Sequence, residues 1–339
     1  MRKGFVLLTC LLLLTSFTFA QGTGESPTNA ADKAYTIKIG HCFTAESPRN
    51  IGLLEFKSYV EKTSNGKLKV ELYPNSVLGK EEDMQESMKM GNLEGFVGGP
   101  FDSETQKLNL ILMPFFFKDD AALMRVSHST IGQAIRDDAQ KNGIKILAFG
   151  NGGSRQITNN VRPVKSPADM KGLKLRTPSM ESIIECMKAL GANPVTIPYA
   201  DTYMALKTGV ADGQENPLAN IGDMKFYEVQ KYMTYINYQF HPEVLCMNLK
   251  FYNSLPEDLR KICDDGAWKF VDKLNTVRRN MDKDYYAMIE KGGCQIYTPT
   301  DAELAVFKKA CEPVYQHFIN KGTFTREELN AVDKAAQGN

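Results

Sequence analysis

The sequence predicts an α/β protein built in two halves and crossed by one very long helix. Three observations carry that expectation. Short runs of alternating apolar and polar residues recur between longer amphipathic runs, the pattern of strands and helices laid down in layers. The 339 residues exceed the usual about 100–200 of one domain. Finally, from Pro256 to Lys291 there is no second proline and no glycine but Gly266. At about 1.5 Å per residue such a helix reaches about 50 Å, more than one small domain spans.

Taken in order, Arg2 and Lys3, the apolar run Phe5 to Leu14 and the close Phe19-Ala20 read as a cleavable export signal, cut near Ala20. Thr9, Thr15, Ser16 and Thr18 interrupt the run before the about 20 apolar residues of a membrane span. Residues 21–33 are polar and aperiodic, a flexible leader. Tyr35 to Gly40 alternates like a strand, Pro48 to Thr63 like an amphipathic helix, and Asn65-Gly66 turns into a second strand, Lys67 to Tyr73. Further strands are expected at Ile144 to Phe149 and Leu173 to Leu175, and helices over about 119–142 and 179–190. Met88 to Gly95 echoes Leu206 to Gly213, each reading as helix end, glycine cap and the start of a strand, which hints at two related halves. The long helix opens near Ser254 and Pro256 and stops at Gly292-Gly293. A break near Gly266 into two helices is the alternative.

The 41 basic and 40 acidic residues nearly cancel, so no global field attracts nucleic acid or an anionic membrane. Removing the signal leaves a net charge of −1. The six remaining cysteines, Cys42, Cys186, Cys246, Cys263, Cys294 and Cys311, have none of the paired spacings of a zinc site and read as small buried side chains. Disulfides are open to an exported chain, and the spacing does not choose a pairing.

Phosphate-loop, metalloprotease, nucleophile-elbow and calcium-loop motifs are absent, and Gly150 to Arg155 fails the dinucleotide fingerprint at its last position. No catalytic residue, metal or cofactor is expected. Of the four histidines, His41 stands at the end of the first strand, where open α/β sheets face their clefts. Arg176 follows a strand and precedes Thr177-Pro178, and Arg155 follows a glycine-rich turn. A guanidinium grips a carboxylate with two parallel donors and stays charged, so two such forks suit a small organic anion. Either arginine also reads as a surface ion-pair partner. Asn216, held extended by Pro217, offers an amide to the same anion, or belongs to a polar turn.

These pieces sit in three long segments: SRQITNNVRPVKSPADMKGLKLRTP (Ser154 to Pro178), ALGANPVTIPYADTYMALKTGVADGQENP (Ala189 to Pro217) and KLKVELYPNSVLGKEEDM (Lys67 to Met84). Together with FYNSLPEDLRK (Phe251 to Lys261), they resemble the DctP-type solute-binding proteins of tripartite ATP-independent periplasmic (TRAP) transporters, over about Tyr35 to Lys321. The resemblance implies a two-lobed periplasmic-binding-protein-like α/β fold with a ligand cleft between lobes and the long helix crossing both. Lobe I would take 34–153 and about 241–275, lobe II 154–240 and about 276–310, with hinges near 153 and 240 and a helical segment over 311–339. It further implies Arg176 as the clamp on the ligand carboxylate, Arg155 and Asn216 as further donors, Tyr199 as an aromatic wall, and Glu81 and His41 as lesser contacts. The protein would be a periplasmic monomer, without catalysis, delivering a small carboxylate to TRAP membrane subunits.

Around Val97-Gly98-Gly99-Pro100 the chain departs from the sialic-acid receptors of that family, which carry polar groups there for the sugar's tail. A C4-dicarboxylate or a six-carbon sugar acid such as a uronate fits better. The rival functions are an exported carboxylate-processing enzyme, with Glu81 or Glu215 moving protons, and a receptor reporting to a sensor kinase.

Overall fold

The computed structural model describes residues 34–338, so the expected signal over 1–20 and leader over 21–33 lie outside the described residues. Among the described residues no helix is long and apolar enough to cross a membrane. The chain starts with β1 (Tyr35–Gly40), where Ile37 and Ile39 are sealed and Lys38 is exposed, as strand alternation requires. Helix α1 (Pro48–Thr63) follows, capped by Ser47, whose side chain accepts from the Asn50 amide. Then come β2 (Leu68–Tyr73), α2 (Glu81–Met90) and β3 (Gly95–Gly98). Gly91 closes α2 in the left-handed conformation at φ 82.

The helix expected over about 119–142 is divided. Helix α3 (Asp120–His128) ends at Ser129, which sits extended and caps α4 (Thr130–Asp138) through its hydroxyl, and a 3-10 turn finishes the segment. Serine can satisfy the amides of a new helix start, so a periodic run divides where its side chain turns back on the backbone.

The largest correction falls on β4, which runs from Ile144 to Asn159. The glycines at 150, 152 and 153 do not turn the chain. They lie inside the strand, where its pairing shifts register between Asn151 and Ser154. A Cβ at Gly152 would lie 2.9 Å from the Arg49 Nη2 and would meet the Glu243 carboxylate, a buried ion pair pressed against the strand.

After β4 come β5 (Lys174–Thr177), one residue beyond its expected start, α5 (Glu181–Ala189), β6 (Asn193–Thr196), α6 (Thr202–Lys207) and β7 (Gly213–Pro217). Helix α7 (Leu218–Asp223), β8 (Tyr232–Thr234), β9 (Phe240–Asn248) and α8 (Leu249–Ser254) lead to α9, continuous over Glu257–Lys291. Then β10 (Gln295–Tyr297), α10 (Asp301–Ala310), α11 (Glu312–Lys321) and α12 (Arg326–Gln337) complete the described chain.

The strands lie in the order β2-β1-β3-β9-β4-β7-β5-β6, with β8 on β4 and β10 on β8. This order is nearly mirrored: β1 is flanked by parallel β2 and β3, β5 by parallel β6 and β7, with antiparallel β9 and β4 between the two sets. The echo between Met88–Gly95 and Leu206–Gly213 falls on matching places, the helix, left-handed glycine and strand start of each triplet. Strand β4 joins the sets, pairing with β9 up to Ser154 and with β7 and β8 from Arg155 onward.

Helices α1 and α9 cross against one face of the β1-side set, around Leu53, Phe56, Val60, Ala267, Phe270 and Val271. Two glycines set their spacing. A Cβ on Gly52 would lie 2.9 Å from the Phe270 ring and 3.1 Å from its backbone oxygen, while one on Gly266 would lie 2.8 Å from Val60. Gly266 therefore marks a close helix crossing within an unbroken helix. Gly52→Ala should reduce stability by up to about 2 kcal/mol, because overpacking against a fixed backbone (about 1–3 kcal/mol) outweighs the about 1 kcal/mol of helix propensity gained. Chemical denaturation checks this, and a raised midpoint would contradict the close-packed crossing.

Candidate functional site

The carboxyl ends of β1, β3 and β5, the start of β9, and β7 converge on a small cavity lined by Phe43, Glu81, Arg155, Arg176, Tyr199 and His241. Such convergence follows from parallel strands ending on one edge, where loops rather than sheet hydrogen bonds occupy the space. A larger and more open groove lies between α3, α9 and α12, but its buried arginine, Arg278, is already paired with Asp120 and Asp282.

Arg176 stands near the end of β5 and is 1% exposed. Its Nε donates to the Ile197 oxygen at 2.7 Å, and among the described residues neither Nη has a protein partner. Burial draws its pKa down, opposed by the charges of Glu215 and Glu81, yet a guanidinium stays protonated at any pH the protein meets. The cavity therefore contains a cation with two unengaged donor groups.

Arg155, 2% exposed, has a different environment. Its Nε and Nη2 hold the Glu215 carboxylate from both sides, Nη2 at 2.8 Å, and Nη2 also donates to the Glu215 backbone oxygen at 2.9 Å. Tyr238 donates its hydroxyl to the same carboxylate. Burial alone would lower the Arg155 pKa, but Glu215 and Tyr238 more than compensate and it rises. Arg155 is thus neutralised within the protein, and only Nη1, 3.1 Å from His241 Nδ1, turns toward the cavity. Since a guanidinium only donates, Nδ1 accepts and the neutral ring carries its proton on Nε2. That atom faces Gly99, where a Cβ would lie 3.0 Å away. Burial and the two cations Arg155 and Arg49 keep His241 well below the ordinary imidazole pKa.

Asn216 lies in a fully buried strand, not a polar turn. Its Nδ2 donates to Gln214 at 2.6 Å while its Oδ1 accepts from Asn220 at 3.1 Å and Arg155 at 3.3 Å, leaving one amide hydrogen for the cavity. Tyr199 packs at 5.9 Å from Phe43 and 6.1 Å from Phe226, an aromatic wall. Glu81, at the start of α2, is buried with Cys42 and the Arg176 charge nearby; burial pushes its carboxyl up to about 7.

Five of the six residues expected at a site, Arg176, Arg155, Asn216, Tyr199 and Glu81, line this cavity. His41 does not line it. It is sealed one layer back, its Nε2 3.1 Å from the Asn50 oxygen and its ring stacked at 6.0 Å on Phe43, which does reach the cavity. Sequence reasoning missed Phe43, Pro178, Met180, Asn220 and His241, whereas Gly99, in the stretch expected to face the ligand's tail, does line the cavity. For His241 a signal was present: His241-Pro242-Glu243 opens an otherwise apolar strand, the strand-end position that drew notice to His41.

Residues 39–321 match the sequence profile of the bacterial extracellular solute-binding proteins, family 7. A C4-dicarboxylate-binding periplasmic protein, DctP, of Rhodobacter capsulatus is 30% identical over 84% of this chain and 86% of its own. A TRAP periplasmic solute-binding protein from Haemophilus influenzae, solved with bound L-gulonate, is 30% identical with a TM-score of 0.84, covering 88% of this chain and 99% of that one. Another, from Desulfovibrio salexigens with bound orotic acid, is 28% identical with a TM-score of 0.86 over 90% and 99%.

The buried carboxyls give the fold a distinctive pH profile. Burial raises Glu81 to about 7 and Glu104 to about 8, so the folded chain keeps protons that the unfolded chain, titrating near 4.3, has released. Stability therefore falls as pH rises through that interval. His41, lowered to about 4, and His241 act in the opposite sense below about 6.5, where the unfolded chain gains protons first. Thermal melting should accordingly show a decline between about pH 6.5 and about pH 8, which Glu104→Gln flattens. A profile unchanged in that variant would contradict the buried acid. Glu215→Ala, which leaves Arg155 buried and unpaired, should cost about 3–5 kcal/mol in chemical denaturation.

Proposed function

The chain belongs to the family 7 bacterial extracellular solute-binding proteins, and from that premise we propose that its cavity captures a small hydroxylated organic acid by one carboxylate and delivers it to TRAP membrane subunits. Membership makes it a solute receptor and not an enzyme. The observation that carries the ligand reading is Arg176. Among the described residues its two Nη groups have no partners, in a cavity where the other arginine is already neutralised.

One uncompensated cation matches one carboxylate. A ligand anion entering the cavity loses its hydration, which costs several kcal/mol, and the paired donors of Arg176 supply the compensating hydrogen bonds and charge. The Nε2–H of His241 and the remaining amide hydrogen of Asn216 are further donors, and Phe43 with Tyr199 forms an apolar wall for the carbon chain. At the other side Glu81 accepts from ligand hydroxyls. A second carboxylate there would have no cation to meet, and would bind only by keeping Glu81 protonated. The gulonate-bound relative is of the favoured chemical class, a monocarboxylate rich in hydroxyls. A Cβ on Gly99 would lie 2.5 Å from the Met180 methyl, so the end of the cavity is already filled, which argues against a nine-carbon sugar acid.

In this reading the two sheet sets, with their helices, are the lobes: 34–153 with about 241–275, and 154–240 with about 276–310. They pivot where β4 shifts register against β9. Contacts then join them across the mouth: Lys80 to Asp201 at 2.7 Å and Ser179 to Glu82 at 3.1 Å. The ion pair is half exposed, so it contributes at most about 1 kcal/mol, and the ligand supplies the rest of the preference for closure. The site lies outside the cytoplasm, as in the family.

A thermal-shift screen of sugar acids, hydroxy acids and dicarboxylates, followed by calorimetry, tests this. Hydroxylated monocarboxylates should raise the midpoint most. Dicarboxylate affinity should drop as pH rises past about 7, where Glu81 ionises. Arg176→Ala should weaken binding by about 10²–10⁴-fold, the worth of two charge-assisted hydrogen bonds. Arg176→Lys should also bind poorly, because an ammonium lacks the parallel fork. Unchanged affinity in Arg176→Ala would remove the clamp, and a pH-independent preference for dicarboxylates would remove the hydroxy-acid assignment.

A further inference from the structure

Helices α5 and α11 pack side by side. At the start of α5, Glu181 meets His317 Nε2 at 2.9 Å and the Lys321 ammonium, both near the end of α11. Further along α5, Cys186 faces Cys311, the residue that caps the start of α11, with their sulfurs 3.6 Å apart and both side chains sealed. Among the described residues this is the one pair of cysteine sulfurs in contact; Cys246 instead bonds Glu104, and Cys42 bonds Glu81.

We propose that Cys186 and Cys311 close a disulfide in the exported protein. A bond of about 2.05 Å requires the sulfurs to come about 1.5 Å nearer, a displacement within reach of side-chain rotation on two helices already in contact. The step is an exchange with a protein disulfide in the oxidising space outside the cytoplasm. One thiolate attacks that disulfide and forms a mixed disulfide, and the second cysteine displaces the carrier. Two electrons and two protons leave the cysteines, and the carrier departs as a dithiol. Burial pushes the Cys186 thiol far above its ordinary pKa, so exchange belongs to the stage before α11 docks, when the thiols are still accessible.

The position gives the bond a role. The segment from α11 to the end of the described chain also grips the opposite set of elements: Tyr315 donates to the Pro114 oxygen at 2.6 Å, Lys107 pairs with Glu328 at 2.6 Å, and Arg125 Nε donates to the Ala336 oxygen at 2.6 Å. Met180, immediately before α5, lines the cavity. The bond would staple this brace to the α5 side, so that its remaining noncovalent attachments are those at Pro114, Lys107 and Arg125 on the opposite set. The inference is independent of ligand identity and rests only on export.

The full chain, exported and purified without reductant, is quenched in acid, denatured and alkylated. Intact mass should show four alkylated cysteines in place of six and a chain two hydrogens lighter, with peptides holding Cys186 and Cys311 joined until reduced. Six alkylated thiols, or a bond between other cysteines, would overturn the proposal. As a second measure, wild type refolded in reductant should melt about 5–10 °C lower than the oxidised protein, while Cys186→Ser/Cys311→Ser should not respond. A wild-type midpoint insensitive to reductant would also overturn it.

Discussion

A guanidinium held out of water with no directly bonded carboxylate among the described residues is the constraint around which the cavity is organised. An isolated charge in a protein interior is unfavourable unless something pairs with it. The chain places two arginines within one cavity and treats them differently. Glu215 takes Arg155 by both oxygens and Tyr238 supports that carboxylate, whereas Arg176 has one backbone oxygen and open space. The same residue type is thus a fixed internal partner in β4 and a cation with two unengaged Nη groups in β5, and the difference lies in what stands opposite each fork.

The surrounding scaffold makes that difference geometrically possible. Two strands, β4 and β9, stand between the sets of parallel strands, and the register shift in β4 occurs beside the buried Arg49 to Glu243 pair. Gly152 admits that pair to within contact of the strand, so the point where the sheet changes partners is polar inside yet sealed from water. Helix α9 runs along it, packed on α1 through Gly52 and Gly266.

Much of this was legible in the sequence. Alternation located β1 and β2 to within a residue, and the absence of proline marked α9. The strand expected at Leu173 to Leu175 stopped two residues short of the end of β5. The echo between Met88–Gly95 and Leu206–Gly213, read as a hint of two related halves, falls on matching places of the two strand sets. Strand-end placement singled out Arg176. What was not legible depended on distant partners. Gly150 to Gly153 read as a turn because nothing local reveals the pair beside the strand, in which Arg49 is 103 residues from Gly152 and 194 from Glu243 in sequence. Ser129 divides a helix by a side-chain choice that periodicity does not register. Arg155 and Asn216 carried the right chemistry for an anion, but the Arg155 pairing with Glu215 appears only when β4 and β7 meet, and Asn216 turns one amide hydrogen to Gln214 within β7. His41, just past the carboxyl end of β1, and His241, at the amino end of antiparallel β9, stand on the same sheet edge, and only packing decides that the second reaches the cavity while Phe43 screens the first.

The two ends of the cavity differ in stiffness. At the head, a planar fork tethered through its Nε leaves little latitude in angle. At the tail, the space above Gly99 is filled by Met180, an unbranched thioether with several rotatable bonds that can fold aside at small cost. The head therefore fixes the angle at which anything can sit against it, while the opposite wall yields through bond rotations of a single side chain.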